Sequence, residues 1–340
     1  MVVPLAEVSS SPVPGAEICP KRMHYGPCGG VRDDLSCELG DRPCPFATRP
    51  PVPWPDPPRP AAEPPRVPLV LTDLTVRPYD PESLRRVVRI LAPVSDGLLV
   101  GEHQNRPDLP PTLFAAEVLA AGGRPWITLT CRDRNRVVLE QELVGLRTVG
   151  VPGVLCVTGD ARGQGVRPEA TQVFDLDGTR LAALAAELGL VAAVPEAPEA
   201  PPVQLRPLRV AKKQQAGARV CVLNHVSTPD RVRAFVAAAR AAGATLPFVA
   251  GVAVFTDVRS ARVLQAFPGL TLDETAVAGV LSAADPVAAG IATAAAEARA
   301  LLAIPGVVGV NLSGLASDRG EEAAAEVKAA VGTAVRAGAR

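Results

Sequence analysis

The chain has 340 residues, 48% of them hydrophobic and 3% aromatic, and its 35 basic and 35 acidic residues leave no formal net charge. This composition allows a large buried core. The absence of a basic block argues against nucleic acid or an anionic membrane surface as a partner. No apolar run is long enough to span a bilayer, and the first fifteen residues lack the features of a secretory signal. We therefore expect a cytoplasmic enzyme whose thiols stay reduced.

Four of the seven cysteines lie close together near the amino terminus, at Cys19, Cys28, Cys37 and Cys44. They are separated by eight, eight and six residues, without the closely spaced pair that is typical of zinc knuckles. In a reducing compartment such a cluster indicates a metal site before disulfides. We expect residues 1–48 to form a small Cys-rich module that binds a 4Fe-4S cluster, with structural zinc as the alternative.

Proline dominates the segment that follows this module. Residues 49–68 read RPPVPWPDPPRPAAEPPRVP, in which half of the positions are proline. Proline fixes φ and donates no backbone hydrogen bond, so the segment is predicted to be an extended, semi-rigid linker. It separates the module from a second domain at residues 69–340.

The second domain repeats a short apolar run, a turn and a helical pattern. Leu139, Leu143 and Leu146 show the helical pattern, because their spacing places all three on one face. The runs are apolar along their whole length, as expected for parallel strands covered on both faces. Eight such units predict a (β/α)8 TIM barrel. A doubly wound sheet is the alternative, but no glycine-rich dinucleotide fingerprint follows any run. The eight runs are VPLVLTDL, DGLLVG, PWITLTC, GVLCVTG, LVAAVPE, ARVCVLN, PFVAGVAV and GVVGVNL.

Polar residues follow several of these runs, where a barrel carries its functional groups. The arginines of CRDRNR, after the third run, suit anion binding. Cys131, Cys156 and Cys221 lie within apolar runs and are expected to be buried. The other polar positions at run ends are Asp73, GEHQN at 101–105, TGD at 158–160, Glu196, Asn224 and His225, with Lys212 and Lys213 before the sixth run.

Two long motifs resemble the methylenetetrahydrofolate reductase family, in particular its short, non-animal branch. They are ITLTCRDRNRVVLEQELVGLRTVGVPGVLCVTGD and VFDLD. PEAPEAPP and AKKQQAGARVCVLN resemble the fifth and sixth strand regions of that branch. The Cys-rich segment resembles its small companion module, fused here at the amino terminus. The resemblance implies a barrel that binds FAD and transfers hydride from reduced flavin to the one-carbon unit of 5,10-methylenetetrahydrofolate.

The resemblance also assigns roles to single positions. Asp73 matches the acid at the end of the family's first strand, and Asp160 matches the aspartate of its GD motif, so both are predicted to be catalytic. Asn224 falls at a folate-contacting position, and His103 and Gln104 stand where the family has a TDNQ-like strand end. The predicted cofactor-binding residues are Thr128, Thr130, Gly159, Asp177 and Lys213, together with Arg132 and Arg134 of the basic segment.

Departures from the family pattern leave other functions open. The first strand ends TDLTVRP, where the family has a glutamate followed by two prolines. An acid displaced by about 1 Å can lower a rate about a hundredfold. One alternative is a divergent paralogue that uses flavin and methylene-folate for reductive methylation of a small thiol acceptor. Another is a non-catalytic partner or electron-transfer subunit.

The role of the Cys-rich module is equally open. It is either a structural staple or a relay that receives electrons from a ferredoxin-like donor. The sequence also leaves open whether the chain forms a homo-oligomer.

Overall fold

The computed structural model describes residues 16–55, 65–103, 105–163, 165–266, 270–314 and 317–338. Eight parallel strands close into a barrel in chain order, and β1 pairs with β8. The predicted (β/α)8 TIM barrel is therefore confirmed, and closure of the sheet excludes the doubly wound alternative. The strands are β1 Val70–Asp73, β2 Gly97–Val100, β3 Pro125–Thr130, β4 Gly153–Val157, β5 Val191–Glu196, β6 Val220–Leu223, β7 Phe248–Ala253 and β8 Val307–Ser313.

Helices surround the barrel and bury their apolar faces on it. In α3, Leu139, Leu143 and Leu146 are all fully buried, as their spacing predicts. The connection from β7 to β8 carries three helices rather than one. The helices are α1 Pro81–Leu91, α2 Pro111–Ala120, α3 Arg136–Val149, α4 Gly178–Glu187, α5 Arg206–Gln215, α6 Pro229–Ala241, α7 Val258–Gln265, α8 Glu274–Leu281, α9 Pro286–Leu302 and α10 Glu321–Gly338.

A layer of apolar side chains closes the barrel interior below the functional end. Trp126 is its largest member, and two glycines make room for the indole. A Cβ built on Gly97 would lie 2.8 Å from the Trp126 ring, and one on Gly153 would lie 2.5 Å from it. The layer consists of Leu71, Leu99, Trp126, Leu155, Ala193, Val220, Val222 and Val249.

The described part of the amino-terminal segment has little regular structure. Its backbone pairs only in isolated bridges such as Val31–Cys37, and its apolar centre consists of Met23 and Phe46. Three of its cysteines pack against that centre. Residues 1–15 of the predicted module and 56–64 of the predicted linker lie outside the described residues, so the predicted domain boundaries stay predictions.

Other predictions about the chain are simpler to judge. Cys131, Cys156 and Cys221 are each at most 1% exposed, which confirms that they are buried. Among the helices of the described ranges, none is both long and apolar enough to cross a membrane.

Candidate functional site

The carboxyl ends of the strands bring several predicted residues to one rim of the barrel. Side chains alternate along a strand, so a residue two positions after a member of the interior layer also faces the barrel interior. Asp73 follows Leu71 in this way, and Thr128 follows Trp126. By the same alternation Asn224, two residues after Val222, faces inward at the end of β6.

A cavity of about 230 Å³ opens beside the ends of β2 and β3. It contains four of the predicted site residues, namely His103, Thr128, Arg132 and Arg134. Gln104, the neighbouring predicted substrate contact, lies outside the described residues. The remaining lining residues are Val100, Gly101, Glu102, Asn105, Arg106, Pro107, Asp108, Leu109, Pro111, Phe114, Ile127, Asp133, Arg162 and Arg167.

Arg132 ties together the loops that surround this cavity. Its guanidinium is almost fully buried and pairs with Asp133 at 2.8 Å. It also donates to the backbone oxygen of His103 at 3.1 Å and to that of Asp160 at 3.3 Å. One side chain therefore connects the ends of β2, β3 and β4.

Glu102 is a site residue whose partners were not predicted from the sequence. Both of its carboxylate oxygens accept from Arg134, at 2.9 and 2.7 Å. The same carboxylate accepts from the backbone N–H of Thr130 at 3.1 Å and from its hydroxyl at 3.0 Å. Arg134 and Thr130, two predicted cofactor contacts, thus hold each other through Glu102. The only sequence signal for Glu102 was an acidic residue at a strand end.

The cavity carries an excess of positive charge. Five arginines line it, against three carboxylates. Among the described residues, neither Arg106 nor Arg167 has a carboxylate partner: Arg106 contacts the His103 ring at 2.9 Å, and Arg167 donates to the Asn105 carbonyl at 2.6 Å. Burial and the neighbouring Arg106 lower the pKa of His103, which keeps its ring neutral. The cavity therefore fits an anionic ligand such as a phosphate.

Asp160, predicted to be catalytic, lies just beyond this cavity in the turn after β4. Burial raises the pKa of its carboxyl group, and the nearby Lys21 and Arg132 only partly oppose this effect. A carboxyl group that stays protonated to higher pH can act as a proton donor.

The Cys-rich segment packs directly on this turn. Lys21 donates to the Gly159 carbonyl at 2.6 Å and forms an ion pair with Glu38. Glu38 in turn accepts from the backbone N–H of Ala161 at 3.0 Å. The predicted catalytic residue Asp160 is therefore held on both sides by contacts with the amino-terminal segment.

Two predicted cofactor contacts are engaged by protein partners in this structure. Asp177 is fully buried and caps α4, and it also accepts from the backbone N–H of His24 at 2.9 Å. Lys213 is 5% exposed and its ammonium contacts Glu196 at 2.9 Å. Neither side chain lines the cavity described above.

Glu196 lies at the centre of a buried cluster of charges. Arg209 contacts its carboxylate at 3.1 Å and Arg206 at 3.4 Å, in addition to Lys213. Burial alone would raise the pKa of Glu196, but the three cations outweigh it and hold the pKa at about 2. Arg206 also donates to the Cys28 carbonyl at 3.0 Å, which extends the cluster into the Cys-rich segment.

The four clustered thiols have partners that suit thiolate. Cys28 accepts from the backbone N–H of Gly30, and Cys44 from that of Phe46, in each case two residues further along. Cys19 accepts from Lys21 and Met23 in the same manner. Burial raises the pKa of Cys44 to about 11. In the described ranges no three His, Cys, Asp or Glu side chains are placed to hold a metal ion, so the metal site stays a prediction.

Asp73, the other predicted catalytic residue, belongs to a separate group of polar residues. Its carboxylate accepts from the Asn311 amide at 2.9 Å and from the Ser313 hydroxyl at 2.7 Å. The buried ammonium of Lys328 donates to the Asp73 carbonyl at 2.8 Å, and burial lowers its pKa to about 8. These three partners come from β8 and α10 and were not predicted from the sequence.

Comparison with known proteins identifies the family. A family model described as methylenetetrahydrofolate reductase matches residues 120–308, which is more than half of the chain. The chain belongs to the methylenetetrahydrofolate reductase family. The matched range begins before β3 and ends in β8, so it contains Asp160 and Asn224 but neither Asp73 nor the four clustered cysteines. The likeness of the Cys-rich segment to the companion module of this family stays a prediction.

Solved structures agree with this fold. An uncharacterized protein from Clostridium thermocellum, which binds two copies of 5-methyl-5,6,7,8-tetrahydrofolic acid, superposes with a TM-score of 0.57 at 12% identity, over 78% of this chain and 94% of that one. Tryptophan synthase from Mycobacterium tuberculosis gives a TM-score of 0.44 at 12% identity, over 78% and 92%. No curated protein matches the chain. At these identities the likenesses show the barrel fold alone.

The buried Glu196 cluster leads to a prediction about stability. Glu196→Gln removes the only carboxylate that contacts Arg206, Arg209 and Lys213 in the described residues, and breaking such a buried pair costs about 3–5 kcal/mol. We expect a correspondingly lower free energy of unfolding in urea titrations. Because the pKa of Glu196 falls from 4.5 to about 2 on folding, its stabilisation is present above the first value and is lost as the pH falls towards the second.

The matched control is Glu322→Gln, which alters a carboxylate that is 48% exposed and paired with Arg86 on the surface. It should leave the unfolding midpoint near that of the wild type. Equal midpoints for the two variants would contradict a stabilising role for the cluster.

Proposed function

We propose that the chain is a flavin-dependent methylenetetrahydrofolate reductase-like enzyme. Its substrate is 5,10-methylenetetrahydrofolate, and its product is 5-methyltetrahydrofolate. The observation that carries the proposal is the family match over residues 120–308, combined with a positively charged cavity at the same end of the barrel as Asp160. The folate ligand of the Clostridium thermocellum protein supports tetrahydrofolate as the substrate class.

The cavity has the chemistry to hold a flavin nucleotide. Arg106 and Arg167 lack carboxylate partners among the described residues and suit the phosphates of FAD. Ile127 and Phe114 provide apolar surface for a flat ring. Bound in reduced form, FAD would supply the hydride. The protein supplies binding, orientation and proton transfer.

We assign the proton-donating role to Asp160 rather than to Asp73. Opening the one-carbon bridge of the substrate requires protonation of a nitrogen, and the donor must carry its proton at the working pH. Burial raises the pKa of Asp160. Asp73 instead accepts hydrogen bonds from Asn311 and Ser313, which favour an ionised carboxylate.

A second candidate is a folate-binding protein without flavin, which acts as a partner subunit. One observation favours it: Asp177 and Lys213 contact other protein groups and do not line the cavity. Reductive methylation of a thiol acceptor remains the alternative for an active enzyme, because it needs the same cofactor and the same one-carbon donor.

For the thiol segment we propose a 4Fe-4S cluster held by Cys19, Cys28, Cys37 and Cys44, with zinc as the alternative. The backbone N–H groups that point at three of the four sulfurs support a bound thiolate site. The contacts of this segment with the turn that carries Asp160 would place the cluster near the flavin. Such a cluster could pass electrons from a ferredoxin-like donor.

The first test measures cofactor binding and turnover. Arg106→Ala and Arg167→Ala should each weaken FAD binding about tenfold or more, because each removes a charge-assisted hydrogen bond to phosphate. Arg233→Ala, on the surface of α6, is the control and should bind FAD like the wild type. Purified wild type with chemically reduced FAD should form 5-methyltetrahydrofolate.

Each other outcome of that assay has a definite meaning. A colourless protein that binds 5-methyltetrahydrofolate but does not turn over supports the partner-subunit candidate. A methylated thiol as the product supports the reductive methylation candidate. No folate binding and no product would rule out all three.

The second test concerns the proton donor. Asp160→Asn should lower kcat about a hundredfold or more while the protein still binds FAD, because loss of a general acid typically costs that much. Wild-type kcat should fall as the pH rises through the raised pKa of Asp160, because the carboxyl group then loses its proton. Asp73→Asn, which keeps a polar group of the same size, should retain this pH limb. A limb that disappears in Asp73→Asn instead would return the role to Asp73.

The third test distinguishes the two metal predictions. Anaerobically purified protein should contain iron and acid-labile sulfide in equal amounts and absorb broadly in the visible range. Cys28→Ser should abolish both signals, whereas Cys156→Ser, in the buried β4, should retain them. Zinc without sulfide would end the electron-relay proposal.

A further inference from the structure

A buried hydrogen-bond acceptor without a donor lies at the end of β8. Asn311 is 5% exposed, and its Nδ2 donates to Asp73 at 2.9 Å and to Ser313 at 3.1 Å. Its Oδ1 accepts no hydrogen bond from any described residue. Leaving a buried acceptor unsatisfied costs about 1–3 kcal/mol, so such a group at a functional rim calls for a partner.

The position of Asn311 shows where that partner would lie. Its neighbours Val310 and Leu312 pack in the outer core between strands and helices, so alternation along β8 turns Asn311 and Ser313 towards the barrel interior. Asp73 faces the same interior from β1 and is half-buried. The interior layer that includes Leu71 closes the barrel below. A partner must therefore enter from the carboxyl end.

The hydrogen-bonding capacity left in this group is only for accepting. The Ser313 hydroxyl already donates to Asp73, and both Asn311 amide protons have acceptors nearby. Lys328 spends its donors on the Asp73 carbonyl and the Thr75 hydroxyl. What remains is Asn311 Oδ1 and the free lone pairs of the Asp73 carboxylate. Such a group binds N–H donors and rejects anions.

We propose that Asp73, Asn311 and Ser313 form a substrate subsite that recognises adjacent N–H donors on an amino-substituted ring, with Asn311 as the residue that determines specificity. The subsite rests on the proposed function in one respect: the matching edge of a folate is its 2-amino group and the neighbouring ring N–H. This assignment replaces the predicted proton-donor role of Asp73 with a binding role.

The test compares two rings that differ in one donor. Pterin carries a 2-amino group, whereas lumazine carries an oxygen at the same position. Wild-type protein should bind pterin about tenfold more tightly than lumazine, measured by competition against bound 5-methyltetrahydrofolate, because lumazine leaves the acceptor unpaired. Equal affinities in the wild type would overturn the proposal without the use of any variant.

Variants locate the preference on Asn311. Asn311→Leu removes the acceptor at similar side-chain size and should abolish the preference for pterin. Gln215→Leu, the same kind of change on α5, is the matched control and should keep it. If Asn311→Leu does not fold, Asn311→Ser takes its place with the same expectation. A preference that survives in these variants but is lost in Asn224→Leu would place recognition on β6 and overturn the proposal.

The experiment separates this proposal from the proposed function. Protein that forms 5-methyltetrahydrofolate but binds pterin and lumazine equally refutes the subsite alone. Protein that binds 5-methyltetrahydrofolate but neither ring also counts against the subsite. Protein that binds no folate at all refutes the proposed function, and the subsite with it.

Discussion

The arrangement of the functional end depends on the buried ammonium of Lys21. This side chain is 2% exposed, and a charge so far from water must have close partners. They come from both parts of the chain, Glu38 from the Cys-rich segment and the Gly159 carbonyl from the barrel. Because Glu38 also holds the Ala161 N–H, the segment and the turn that carries Asp160 form one electrostatic unit. Loss of the segment would expose that turn to water.

Two polar regions of opposite character share the rim of the barrel. The cavity beside β2 and β3 has more arginines than carboxylates and suits an anion. The group at β1 and β8 offers only acceptors and suits N–H donors. Asp160, with its raised pKa, belongs to a third environment, in the turn after β4. A reaction that combines a phosphate-bearing cofactor with a nitrogen-rich substrate needs these properties in separate places.

Sequence patterns predicted the positions of the strands well but their side-chain partners poorly. Arg132 and His103 were predicted at the rim from their place after apolar runs, and both line the cavity. Arg206 and Arg209 were not singled out, because arginines in a helical pattern usually face solvent. They are buried here because their carboxylate, Glu196, ends the neighbouring strand β5 and the Cys28 loop accepts from Arg206. A helical pattern carries no information about such a covering loop.

The sequence by itself determined the barrel, because eight uniformly apolar runs separated by helical patterns can bury both of their faces only as a parallel sheet covered by helices. It also determined which strand ends carry arginine, aspartate and clustered cysteine. Only the tertiary structure decided which of those groups are free to act. Asp177 and Lys213 became structural because burial requires each charge to find a partner. Asn311 kept an unpaired oxygen because closure of β8 against β1 directed its amide protons to Asp73 and Ser313.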